Sequence, residues 1–138
     1  MTPEQTLQVK ALRTRSDRSE IFNYVIDHLR HQGKKSMARD RPVFNPGFCA
    51  YRGDGGTMCA VGALITDDEY ENGWEGSGIN RLLKKSLPSD LYVCISQHDE
   101  MLYDLQTFHD EWLVYEDCVF NNDSENRVAF LRKKWDIR

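Results

Sequence analysis

The chain has 138 residues, 40% hydrophobic and 29% charged, with a net charge of −4 and a mean hydropathy of −0.64. That length suits a single domain, residues 1–138, able to bury a core without metal or disulfide support, and no apolar run is long enough to span a membrane. The acidic balance argues against nucleic acid as a main partner, with the basic segment 30–41 as the only candidate contact.

The opening residues MTPEQTLQVK carry no apolar leader, and the four cysteines are irregularly spaced. Both fit reduced thiols in a cytoplasm. Thr2-Pro3-Glu4-Gln5 predicts a helix start, with Thr2 as cap, Pro3 at the first helical position and Gln5 closing a capping box. That helix runs to about Arg13, with Leu7, Ala11 and Leu12 as a weak apolar face. Ile21, Phe22, Val25, Ile26 and Leu29 recur at helical spacing and predict a second helix over 17–32. Gly33 stands where a C-terminal glycine belongs, behind Arg30 and His31. Residues 33–47 read as a basic loop punctuated by Pro42, Asn45 and Pro46.

Most of the nine glycines lie between positions 47 and 76. Residues 48–52 predict a strand and Asp54-Gly55 a hairpin turn. The run from Cys59 to Ile65 fits either the return strand or a buried helix; a brief return at Gly56-Thr57 and then a helix capped by Thr57 is the favoured reading, and Thr66 to Glu69 fits a further capping box. After a glycine-rich turn around Trp74, a short helix carries Ile79, Leu82 and Leu83 and ends before Pro88. Leu91, Ile95, His98, Leu102, Leu105, His109 and Trp112 then predict one continuous helix over 89–113, the central packing element. Val119 and Phe120 suggest a short strand. A last helix, capped by Asp123 or Ser124, turns Val128, Leu131 and Trp135 inward. The expected fold is mainly α (α+β), one small domain with a long central helix and one short β-hairpin.

The central stretch resembles a group of small phage, prophage and bacterial proteins of uncharacterised function. The resemblance rests on Cys49-x-Tyr51-Arg52, Gly56-x-x-Cys59-Ala60-Val61-Gly62-Ala63-Leu64-Ile65, Asp68-x-Tyr70, Glu75-Gly76 and Leu105-Gln106-x-x-His109-Asp110. It covers roughly residues 48–110 and departs from the commoner pattern at Thr66, where proline is usual. It implies a genomic setting and no particular reaction.

Three readings attach chemistry to these residues. Cys59 in the first turn of a helix would be held as a thiolate, with His109 as base and Gln106, one turn earlier, as its orienting partner; Asp110, about 100° away on a helix, fits that role less well. Cys49, Cys59, Cys94 and His98 would supply a Cys3His zinc set, although the spacing between Cys49 and Cys59 matches no usual zinc knuckle, and a Cys49–Cys59 disulfide is an alternative. Tyr51, Arg52, Tyr70, Trp74 and Glu75, large groups on a glycine-rich frame, would make a recognition surface. The leading expectation is a phage-type accessory protein that binds a host or phage macromolecule, a protein partner above all, for host takeover or counter-defence, without cofactor or metal. A cysteine-dependent hydrolase or transferase using Cys59 and His109 is the alternative, and a zinc-stabilised module the third. Arg52-Gly53-Asp54 spells an adhesion tripeptide but has no extracellular setting here, and Gly53-x-Gly55 lacks the further glycine of a dinucleotide loop.

Overall fold

A computed structural model describes residues 1–37, 50–112 and 120–138, and for Trp112 the backbone alone. The fold is mainly α, with six α-helices among the described residues: α1 (Pro3–Arg15), α2 (Arg18–Gln32), α3 (Ile79–Leu82), α4 (Ser89–Gln97), α5 (Asp99–Thr107) and α6 (Asn122–Lys134). The first two begin as their caps dictate. Thr2 Oγ1 accepts from Gln5 N–H while Gln5 Oε1 accepts from Thr2 N–H, and Asp17 Oδ1 accepts from Glu20 N–H. Gly33 closes α2 in the left-handed conformation at φ 75°. The inward face of α1 differs from expectation: Val9, Leu12 and Arg13 are buried, and Leu7 is 71% exposed. Helix α6 is capped by Asn121, whose side chain accepts from Ser124 N–H, two or three residues earlier than an Asp123 or Ser124 cap would place it.

The long central helix is broken. Leu91, Ile95, Leu102 and Leu105 are fully buried as the stripe requires, but His98, at φ −121° and ψ 23°, separates α4 from α5. Its Nε2 lies 2.9 Å from Ser16 O and 3.1 Å from Ser16 Oγ, in the turn between α1 and α2. A straight helix over 89–113 would be about 37 Å long. The break lets α4 pack on α1 while α5 packs on α2. From Phe108 to Trp112 the chain continues as a π-helix.

Among the described residues the hairpin is not seen. Asp54–Gly56 forms a 3-10 turn, and Gly62–Leu64 and Asn72–Trp74 form two more. Phe48, Cys49 and Val119 lie outside the described residues. No helix starts at Thr57, whose hydroxyl donates to Asp54 O, and Thr66 opens a turn instead of a helix. Positions 57–66 are all buried, yet most of them are irregular. This buried coil lies in one apolar cluster with Phe22, Ile26, Leu29, Trp74, Leu102 and Leu105.

Candidate functional site

A buried coil must find partners for its peptide groups outside the regular ladders. Here side chains supply them. Arg52 donates to Tyr51 O (3.1 Å), Gly62 O (2.9 Å) and Ile65 O (2.6 Å), and to Asp67 Oδ1 (3.0 Å). Its guanidinium also lies over the Tyr70 ring, 5.3 Å from the centroid. The Glu75 carboxylate accepts from Tyr51 N–H (2.8 Å), Arg52 N–H (3.1 Å) and the Tyr70 hydroxyl (2.6 Å). From α2, the Gln32 amide matches Met58 at both ends, accepting its N–H at 2.8 Å and donating to its C=O at 3.0 Å. From α5, Gln106 Oε1 accepts from Val61 N–H at 3.2 Å. Glycine is required where the coil folds on itself: a Cβ on Gly62 would lie 2.5 Å from Tyr51 O.

Of the expected recognition surface, Tyr51 and Trp74 are therefore core, while Arg52, Tyr70 and Glu75 are half-buried. The Tyr51 hydroxyl donates to Ser77 O, and Trp74 meets Tyr70 edge to face at 6.5 Å.

Cys59 and His109 are each 0% exposed. Cys59 Sγ accepts from Gly62 N–H at 3.3 Å, and with no helix start at Thr57 the expected helix-end stabilisation of a thiolate lapses. His109 Nε2 accepts from Ser36 N–H at 2.9 Å, which places the ring proton on Nδ1, 2.9 Å from Asp110 Oδ1. Asp110, not Gln106, is thus the orienting group. In the π-helix the two neighbours meet, and Gln106 Nε2 donates to the same Asp110 Oδ1 at 3.0 Å. Burial lowers the His109 pKa, opposed by the Asp110 carboxylate. With both ring nitrogens bonded, His109 has no lone pair for a substrate proton. It fastens residue 36 to the end of α5, and Ser36 Oγ in turn donates to Ala50 O. Cys59 and His109 share no hydrogen bond among the described residues.

For the zinc set, Cys49 lies outside the described residues. Cys94 is buried, its thiol pushed up to about 11 by burial, and His98 is engaged with Ser16. Among the described residues no three His, Cys, Asp or Glu side chains gather as a metal site.

Two features escape a sequence reading. Arg13, read from the sequence only as the end of the first helix, is buried and bidentate to Glu69 (2.6 and 2.9 Å), with Asp90 (2.7 Å) and Leu64 O (3.0 Å) completing its shell. Burial opposes ionisation of Glu69, but the bonds from Arg13 and Thr66 outweigh it and hold the carboxyl at about 2. Arg13's place beside Val9 and Leu12 on the inward face was the available signal. The second feature is a groove along α5. One lobe, of about 390 Å³, includes Tyr51, Val61, Gly76, Gln106 and Asp110 from the set that carries the resemblance. A second, of about 590 Å³, continues past Tyr103 toward Asp104 and Trp135. Gly78, Ile79 and Tyr103 line both lobes.

No protein-family model matches the chain, and neither the curated proteins nor the solved structures give a match. Among the described residues no helix is long and apolar enough to cross a membrane.

Proposed function

We propose that this chain is a small phage- or prophage-type accessory protein that acts by binding a protein of its host or phage, in host takeover or counter-defence, and that it presents the α5 groove as its binding face. The observation that carries this reading is the division of labour within the shared residues. Cys59 and His109 are fully buried and bonded, to Gly62 and to Ser36 and Asp110, whereas Gly76, Gln106 and Asp110 reach the surface in a lobe floored by the buried Tyr51 and Val61. Pockets lined by apolar groups with a few placed polar ones are where ligands and partner side chains bind. The resemblance supports the genomic setting, and the cytoplasm of a bacterial host is the matching location.

The test is affinity capture from bacterial host lysate with three forms of the chain. Gly78→Gln fills the joint of the two lobes; Gly78 has ordinary extended backbone at φ −70°, and a Cβ there meets no atom within 4 Å, so the fold tolerates it. The expected result is a protein retained by the wild type and by Cys59→Ala but lost from Gly78→Gln. Retention indifferent to Gly78→Gln, or lost with Cys59→Ala in a folded protein, counts against the reading.

A further inference from the structure

Resting on that reading, we propose that the groove takes an extended cationic segment of its partner, with one lysine or arginine in each lobe and Tyr103 between them. The first observation is Tyr103 itself, an aromatic ring 65% exposed where the lobes join. Such a ring offers its face to the stem or the charge of a basic side chain. The second is charge. Glu100, Tyr103, Asp104, Thr107 and Glu111 fall at helical spacing along one stripe of α5 and its π-helical extension. Asp104 is already matched, to Lys134 at 2.7 Å and to the Trp135 indole N–H at 2.8 Å. Asp99, Glu100 and Glu111 hold no ion pair with any described residue, and they stand at the two ends, Asp99 and Glu100 in the larger lobe and Glu111 in the smaller. The bases lining the groove are Lys134, already paired, and Arg81 at the rim of the larger lobe, so carboxylate charge predominates.

The third observation is shape. Opposite α5 the wall is residues 76–78, where Gly78 leaves the main chain bare. Extended backbone can approach such a wall closely. Glu100 and Glu111 are eleven positions apart, about 16 Å along a helix. A strand-like peptide covers that distance in about five residues, with alternate side chains facing the same way. The fitting partner therefore carries two basic residues about four to six positions apart on one side. An anionic partner, nucleic acid included, meets the wrong charge.

The probe is a peptide of alternating lysine and serine, about eight residues long, titrated into the ¹⁵N-labelled chain. Matched controls are a glutamate–serine peptide and a single-stranded DNA oligonucleotide. Expected are shift changes confined to the residues lining the two lobes, 51, 61, 76–81, 99–111, 134 and 135. Glu100→Gln with Glu111→Gln should weaken binding about tenfold, and Gly78→Gln should abolish it. Glu4→Gln with Glu71→Gln removes the same charge elsewhere and should leave affinity unchanged. Shifts spread over other acidic faces, equal weakening by the control pair, no binding, or preference for the glutamate peptide or the DNA would each overturn the proposal. If the lysate partner is lost on Gly78→Gln while the lysine peptide ignores the groove, the binding function stands and the cationic ligand falls. If neither depends on Gly78, the binding face itself is refuted.

Discussion

Replacing Arg52 by methionine keeps most of the aliphatic stem and removes the guanidinium, and the cost follows from what that group touches. Ile65 is fully buried and its carbonyl loses a 2.6 Å donor, an exposure of about 1–3 kcal/mol. Gly62 O keeps a bond from Ile65 N at 3.1 Å, so its loss and that at Tyr51 O are smaller, about 0.5–1.5 kcal/mol each. The contact with Asp67, a half-exposed carboxylate, adds at most about 1 kcal/mol. Arg52→Met should thus cost about 4 kcal/mol, a large part of a stability of order 5–15 kcal/mol, and lower Tm by about 10–15 °C. Urea unfolding followed by far-UV circular dichroism reads it. Arg52→Lys is the discriminating control. It retains the charge opposite Asp67 but lacks the planar fork that reaches three carbonyls, so it should recover less than half of the loss. A lysine variant as stable as the wild type, or a methionine variant costing under about 1 kcal/mol, would show that Arg52 is only a surface ion-pair partner.

The Glu69 carboxyl falls from 4.5 to about 2 on folding, a contribution on the order of 3 kcal/mol. Because the folded-state pKa is the lower one, that stability is present above about pH 4.5 and drains away as the pH falls toward 2; the slope of unfolding free energy over this window should flatten in Glu69→Gln. Cys59 and Cys94 are both 0% exposed, so iodoacetamide should modify neither in the native chain and both in urea; fast native labelling of Cys59 would restore the nucleophile reading. Gly62→Ala should destabilise by more than a surface substitution, about 2 kcal/mol or more, since its methyl meets the Tyr51 carbonyl; a neutral effect in thermal melts would show that the coil is loosely packed.

The helices were legible because their signals are local. Thr2 and Gln5 bond across three residues, Asp17 and Gly33 bracket an apolar period, and neither depends on distant chain. The break at His98 was not, since the apolar stripe runs unbroken through it and the cause is Ser16, 82 positions earlier. The coil was misread for the same reason. Asp54-Gly55 and the apolar run after it carry hairpin and helix signals, but peptide groups of that run are satisfied from Gln32, Arg52 and Gln106, at separations that no local pattern encodes. Arg52, Glu75 and His109 look like surface or catalytic chemistry when read one by one, and each instead bonds main-chain groups of the protein interior. On an ideal α-helix Asp110 would point about 100° away from His109, but in the π-helix the two side chains meet.

Native-state amide hydrogen exchange tests most directly whether this coil is a side-chain-bonded part of the core. The amides of Ser36, Tyr51, Arg52, Met58 and Val61 each donate to a side chain. They should exchange only through global unfolding, with protection equal to that of Val25 or Leu102 in the helices. Exchange at loop rates at these positions, while α2 and α5 remain protected, would contradict the account.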